Sequence, residues 1–367
     1  MKKIGVLTSS RADYGIYKPL LNQLVKTSKF DLTRIVFGPH LLPQMLNSLA
    51  EVKADPYGKY DLVGDFKETN TAAEVTIEYG KLVKVFASYW GKRDFDIVIA
   101  LGDRFEMSAA IQAAIPFNIR IAHIHGGEAT LGAIDNIYRH QISLASKLHF
   151  TATRDYAQRV ASIMGSSENI HCVGALSLSD LESKNIKPWD EVRDIFSIPK
   201  GSFVLVTVHP ETADDNRNAE NILGLSNILT ALSKHYHLLI TGTNTDQAHE
   251  GYTRLFLDLK RCNPSQFTLI DSMGRENYFS ALSHCTFVLG NSSSGIIEAA
   301  SFGKFTVDLG DRQKGRSTSL NTINLPFETS GLLKHIEELR EDNFLFKGEN
   351  VYFQKNTVGS IIEELLN

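Results

Sequence analysis

Short, uninterrupted apolar runs recur along the chain, each separated from the next by enough residues to form a helix. In the first half they are Ile4–Thr8, Arg34–Phe37, Ile97–Leu101, Ile119–Ile124, Leu148–Ala152 and His171–Val173. In the second half they are Phe203–Val208, Leu238–Thr241, Thr268–Ile270, Phe287–Leu289 and Thr306–Leu309. These runs do not alternate apolar with polar positions, which marks strands buried on both faces. Helical periodicity lies between them, clearest over Ile16–Leu24 and Ala72–Phe86. Strand, helix, strand repeated twice over predicts an α/β protein of two doubly wound parallel sheets. The pattern breaks over Gly174–Trp189, where the sequence is rich in Ser and carries Lys and Pro. The expected division is therefore 1–175 for an N-terminal domain and 176–349 for a second. The remaining segment, 350–367, holds a last helix (Val358–Leu366) able to pack back on the N-terminal domain.

Composition narrows the function classes. A length of 367 residues exceeds one ordinary core and fits two domains. With 43% hydrophobic and 22% charged residues the chain is of globular type. A net charge of -4 offers no basic face for nucleic acid, so a polyanionic ligand would have to be held by a few placed arginines. The start, Met1-Lys2-Lys3 and then Ile4–Thr8, reads as a first strand, with neither a signal peptide nor a membrane span. Cys172, Cys262 and Cys285 are far apart and lack C-x-x-C spacing, which argues against a disulfide framework or a zinc site and for a reducing cytoplasm.

In open parallel sheets ligands bind beyond the carboxyl ends of the strands, so the residues following each run carry the information. The first run is followed by Ser9-Ser10-Arg11-Ala12-Asp13-Tyr14-Gly15, the third by Gly102-Asp103-Arg104-Phe105-Glu106, and the next contains His123-Ile124-His125-Gly126-Gly127-Glu128. The second half supplies His209-Pro210-Glu211, Gly242-Thr243-Asn244, Gly290-Asn291-Ser292-Ser293-Ser294-Gly295 and Gly310-Asp311-Arg312. Small, hydroxylic and charged residues at the strand ends of both halves predict two polar edges facing each other across a cleft. The serine-rich turn at 291–295 would open a helix whose unpaired N–H groups suit a diphosphate. Glu298, expected about one turn into that helix, could accept both hydroxyls of a ribose.

Other nucleotide and metal signals fail. No G-x-G-x-x-G follows the first run, which argues against a nicotinamide cofactor, and no other cofactor is called for. Gly310–Gly315 has P-loop spacing, but Arg316 stands where that motif needs lysine. His123 and His125 form an H-x-H pair without a third and fourth ligand at metal-site spacing, so no metal is expected. The pair is read instead as one buried histidine, His123, and one facing the cleft, His125.

Taken in order, Arg11-Ala-Asp-Tyr-Gly, Gly102-Asp-Arg-Phe-Glu, His125-Gly-Gly-Glu, Asp135 with Arg139-His140, His209-Pro and Asn291-Ser-Ser-Ser-Gly with Glu298 form a specific set. Together they resemble the hydrolysing UDP-N-acetylglucosamine 2-epimerases of the sialic-acid and legionaminic-acid pathways, over essentially the whole chain. The resemblance implies two Rossmann-like domains in the GT-B arrangement with an interdomain active-site cleft. It also implies a cytoplasmic homodimer or homotetramer acting on a UDP-amino sugar, with UDP as product. A base would take the proton from C2 as UDP leaves C1, and water would then add to the glycal. The substrate would be UDP-N-acetylglucosamine or UDP-2,4-diacetamido-2,4,6-trideoxyglucose.

By the same resemblance, Asp103, His125, Glu128, Asp135, Arg139 and His209 are the catalytic candidates. The wider family has glutamate where His125 stands, which leaves the choice between His125 and Glu128 open. Arg139, four residues after Asp135, could orient that acid on one helix face. Arg11, Arg104 and Arg312 would clamp the diphosphate, Ser292, Ser293 and Gly295 would bind phosphate, and Glu298 the ribose. Asn244, Met273 and Tyr278 fall at the uridine pocket, and Gly15 would contribute backbone only. The alternatives are a non-hydrolysing 2-epimerase, a GT-B glycosyltransferase using a UDP-sugar donor, and a non-catalytic nucleotide-sugar sensor.

Overall fold

The computed structural model describes residues 1–131, 133–183, 186–211, 215–242, 249–341 and 343–367. The chain divides into two compact units: Met1–Ala129 with Ile134–Glu182 and Gln354–Asn367, and Thr130–Ala133 with Ser183–Phe353.

The first unit is built on Lys2–Thr8 (β1), Phe30–Val36 (β2), Lys59–Leu62 (β3), Ile97–Leu101 (β4), Ile121–Ile124 (β5), Leu148–Thr151 (β6) and Ile170–Cys172 (β7). All pair in parallel, in the order β3-β2-β1-β4-β5-β6-β7. The uninterrupted apolar character of β4 follows from covering on both faces. Ile97, Ile99 and Leu101 join one core cluster, while Val98 and Ala100 join the other. The chain's last helix, Thr357–Leu366, puts Ile361, Ile362 and Leu365 into the first of these clusters, beside Ile4, Val6 and Leu20.

The second unit repeats the plan with Phe203–Thr207 (β8), His237–Thr241 (β9), Phe267–Ile270 (β10), Val288–Gly290 (β11), Thr306–Leu309 (β12) and Thr322–Leu325 (β13). Its order is β10-β9-β8-β11-β12-β13, again wholly parallel. Val204 and Val206 face one cluster, Phe203 and Leu205 the other. In both units the winding reverses beside the first strand, between β1 and β4 and between β8 and β11. The crevice at that switch point is where such sheets take ligands. Two strands have no counterpart in the apolar runs, β3 and β13. Each lies at a sheet edge, and β3 is mostly exposed, so neither needs an apolar run. Among the described residues no helix is long and apolar enough to cross a membrane.

Candidate active site

At the switch point of the first unit, β1 runs into a turn tied together by one carboxylate. Ser10 caps the helix Arg11–Lys26 in a capping box with Asp13. Asp13 Oδ2 accepts from the N–H groups of Ser9 (3.0 Å) and Ser10 (3.0 Å), and its Oδ1 accepts from the Thr8 hydroxyl. Thr8 Oγ1 also lies 2.9 Å from His40 Nε2, so the turn is anchored to the next strand's exit. Arg11 follows, exposed, with its Nε 3.7 Å from Glu51. Gly15 leaves open space, since a Cβ there would meet nothing within 4 Å.

Beyond β4 stand Asp103 and Arg104. Arg104 donates to Glu106 through Nε (3.1 Å) and Nη2 (2.8 Å), a fork-to-carboxylate pair with a wholly buried acid. Arg139, on the helix Asp135–Ala145, is the hub of the acidic residues around it. Its Nη2 bonds the Asp103 carboxylate, its Nη1 donates to the His125 carbonyl (2.5 Å), and Nη1 lies 4.0 Å from Glu128 Oε2. The ion pairs of Arg139 are to Asp103 and Glu128, while toward Asp135 it acts through its charge. The helix turns Arg139 inward, whereas Asp135, at its first position, is exposed. The Asp135 carboxyl is nonetheless pushed up to about 6, first by crowding from protein atoms and then by the Asp103 carboxylate.

His125 is buried, 7% exposed. The Leu176 N–H donates to its Nε2 (3.2 Å), so Nε2 is an acceptor and the proton sits on Nδ1, which donates to Glu128 Oε1 (2.8 Å). Its backbone is left-handed (φ 65°), which bends the chain sharply off β5. His123 is fully buried between Ser143 Oγ (3.0 Å) and the Gly102 carbonyl (2.9 Å), and burial holds its pKa down at about 3.

In the second unit the switch point is packed unusually close. Gly290 ends β11 at φ 139°, and a Cβ there would fall 1.9 Å from the Thr207 carbonyl, so no larger residue fits. Asn291, fully buried, accepts from the His209 N–H (2.7 Å) and donates to the His209 carbonyl (2.9 Å), extending the β8–β11 ladder by one side-chain rung. Gln313 Nε2 (2.7 Å) and Arg312 Nη1 (3.4 Å) both donate to the Asn291 carbonyl. His209 is pushed down to about 4 by burial and then by Arg312. Asp308, on β12, is pushed up to about 7 by burial while accepting from Asn324 (2.9 Å).

The serine turn opens a helix of only five residues, Ser293–Ile297, with Ser292 at its N-cap and no side-chain cap bond. Glu298 stands a little over one turn beyond Ser293 and closes that helix, the chain passing directly into the 3-10 turn Ala299–Phe302. Gly295 packs against β12, where its carbonyl accepts from Thr306 Oγ1 (2.9 Å). Ser294 Oγ lies 2.6 Å from Glu298 Oε2 and 2.8 Å from the Tyr278 hydroxyl. Met273 is buried in the core, and Asn244 lies outside the described residues. Glu106, Ser294, Asn291 and Asp13 are absent from the sequence-based set of site residues. The last three could have been suspected as polar residues at strand exits, while Glu106 shows only as an acid two residues beyond Arg104.

Comparison with known proteins agrees with this architecture. A family model described as UDP-N-acetylglucosamine 2-epimerase matches residues 22–366. The polysialic acid biosynthesis protein P7 of Escherichia coli is 28% identical over 98% of this chain and 92% of its own length. A protein of Legionella pneumophila named UDP-N,N'-diacetylbacillosamine 2-epimerase (hydrolyzing) is 31% identical, covering 92% of this chain and 89% of its own. Among solved structures, UDP-GlcNAc 2-epimerase from Neisseria meningitidis bound to UDP-GlcNAc superposes with a TM-score of 0.78 over 100% of both chains, at 20% identity. That last likeness is one of fold.

Proposed function

The chain belongs to the UDP-N-acetylglucosamine 2-epimerase family, and we propose on that premise that it is a hydrolysing 2-epimerase. The substrate would be UDP-N-acetylglucosamine or its 2,4-diacetamido-2,4,6-trideoxyglucose counterpart, and the product a free manno-configured sugar for nonulosonic acid synthesis. The observation that carries the reading is the acid cluster around Arg139: Asp103, Glu128 and, at the start of the same helix, Asp135.

In the proposed reaction a carboxylate takes the C2 proton, the C2–H electrons form the C1–C2 double bond, and the C1–O bond breaks to release UDP. Water then adds its hydroxyl to C1 while a proton is returned to C2 from the opposite face. The sum is UDP-sugar plus water giving UDP plus the 2-epimer. Asp103 and Asp135 are the accessible carboxyls of the cluster, and we assign the proton transfers to them. A carboxyl held near 6, as Asp135 is, can both give and take a proton near neutrality.

Glu128 and His125 lie beneath them, and with both His125 nitrogens occupied by protein groups we assign this pair to positioning. Arg11, Arg104, Arg312 and His209 are assigned to the diphosphate, Ser292 and Ser293 to its phosphates, and Glu298 to the ribose. Charge developing on departing UDP is what such groups stabilise. The reading also carries a cytoplasmic homodimer or homotetramer.

The test is incubation with each UDP-sugar in deuterium oxide. Free sugar deuterated at C2 together with UDP is expected from one of them. Intact, epimerised UDP-sugar would instead establish the non-hydrolysing reaction, and no turnover of either donor would overturn both.

A further inference from the structure

Two hydroxyls stand in line behind the Glu298 carboxylate in the second unit. The Tyr278 hydroxyl lies 2.8 Å from Ser294 Oγ, which in turn lies 2.6 Å from Glu298 Oε2. Tyr278 and Ser294 are both half-buried.

The chemistry of the end member gives the line a direction. An ionised carboxylate only accepts, and each hydroxyl has one proton to give. Ser294 must therefore give its one proton to Glu298, which leaves Ser294 Oγ to accept from the Tyr278 hydroxyl. The reverse order would set two acceptors 2.6 Å apart at Glu298.

Glu298 needs such support. It follows the C-terminal end of a helix, where the backbone dipoles disfavour an anion. Burial keeps the Tyr278 hydroxyl protonated well above its usual range, so it remains a donor. Hydrogen bonds in series polarise one another, and the last one, to a charge, is the strongest.

We propose that Ser294, backed by Tyr278, is a positioning group that fixes the Glu298 carboxylate in the orientation that receives the ribose hydroxyls of the nucleotide. This rests on the assignment of Glu298 to the ribose. It gives Tyr278 a role through its hydroxyl, acting on the carboxylate from behind.

The experiment is calorimetric titration of wild type, Ser294→Ala, Tyr278→Phe and Glu298→Ala with UDP and with 2′,3′-dideoxy-UDP, each between pH 5 and 8. Tyr278→Phe keeps the ring in its packing, so it tests the hydroxyl without a cavity. Ser294→Ala should raise the Kd for UDP about tenfold and Tyr278→Phe by a smaller factor. Neither should change the Kd for the dideoxy ligand. In Ser294→Ala the fall in UDP affinity on acidification should begin at higher pH, because the charged form of Glu298 has lost its donor. If Glu298→Ala weakens UDP while the other two variants bind it as wild type does, the inference is overturned. Equal weakening of both ligands would overturn it too, since that would be general damage to the unit. A Glu298→Ala protein that binds UDP normally would instead remove the ribose assignment itself.

Discussion

Asp103 shows how a single side chain can be both held and available. Its carboxylate is gripped by Arg139, whose own side chain is buried, yet 30% of the Asp103 side chain remains open to solvent. Asp103→Asn keeps the shape and removes the charge that would accept a proton. It should lower kcat by a factor of about 10²–10⁴, the usual scale of general acid–base catalysis, and leave the Kd for UDP within about twofold. Stopped turnover together with a large loss of UDP binding would move Asp103 from proton transfer to ligand binding. The residue types at these positions were readable in the sequence, because strand exits are where parallel sheets present their chemistry. The pairings were not. Arg139 lies four residues from Asp135 but points from the buried side of its helix, and His125 leaves its strand in a left-handed conformation that no local rule anticipates.

At the scale of elements, the strands covered on both faces were legible because most of their positions are apolar on both sides. The edges β3 and β13 were not, since Lys59-Tyr60-Asp61-Leu62 and Thr322-Ile323-Asn324-Leu325 meet water and carry no apolar run. The serine turn was legible as a phosphate-type loop, but the length of the helix it opens was not. That helix stops at Ile297, and its seating depends on contacts with β12 made across the fold. The side-chain rung from Asn291 to His209 is a second feature of this kind. Asn291→Ala would remove both side-chain bonds to the His209 backbone, at a cost of about 2–4 kcal/mol. Urea denaturation followed in the second unit should show that loss, and a variant within about 0.5 kcal/mol of wild type would mean that other groups satisfy His209.

Across the whole molecule the buried histidines set an acid limit that differs between the units. In the first, His123 is held down to about 3 and His149 to about 4, and His40 is also lowered, all by burial. A histidine lowered on folding takes its proton first in the unfolded chain, so stability is full above the ordinary value of 6.5 and is lost as pH falls below it. Each such group contributes a slope of up to about 1.4 kcal/mol per pH unit. In the second unit, among the described residues, only His209 and His237 act the same way, and in each unit one raised acid opposes them, Asp135 at about 6 in the first and Asp308 at about 7 in the second. An acid raised on folding keeps its proton in the native state, so its effect weakens stability as pH rises from about 4 toward 7. The first unit should therefore be the more acid-labile. Hydrogen exchange at pH 7 and pH 5 should show protection lost earlier in β5 and β6 than in β8 and β11. Equal loss in both units would contradict this.

The helix Thr357–Leu366 belongs to the core of the first unit, beside a strand that begins at Lys2. During synthesis every strand of the second unit, through Thr322–Leu325, is made before that helix. The first unit, although made earlier, cannot complete its core until the last residues emerge, so completion runs against the usual N-terminal-first order. A released chain truncated after Phe353 should hold a protease-resistant second unit and a labile first one. Extension by the final turns should convert the first unit to resistance in a single step.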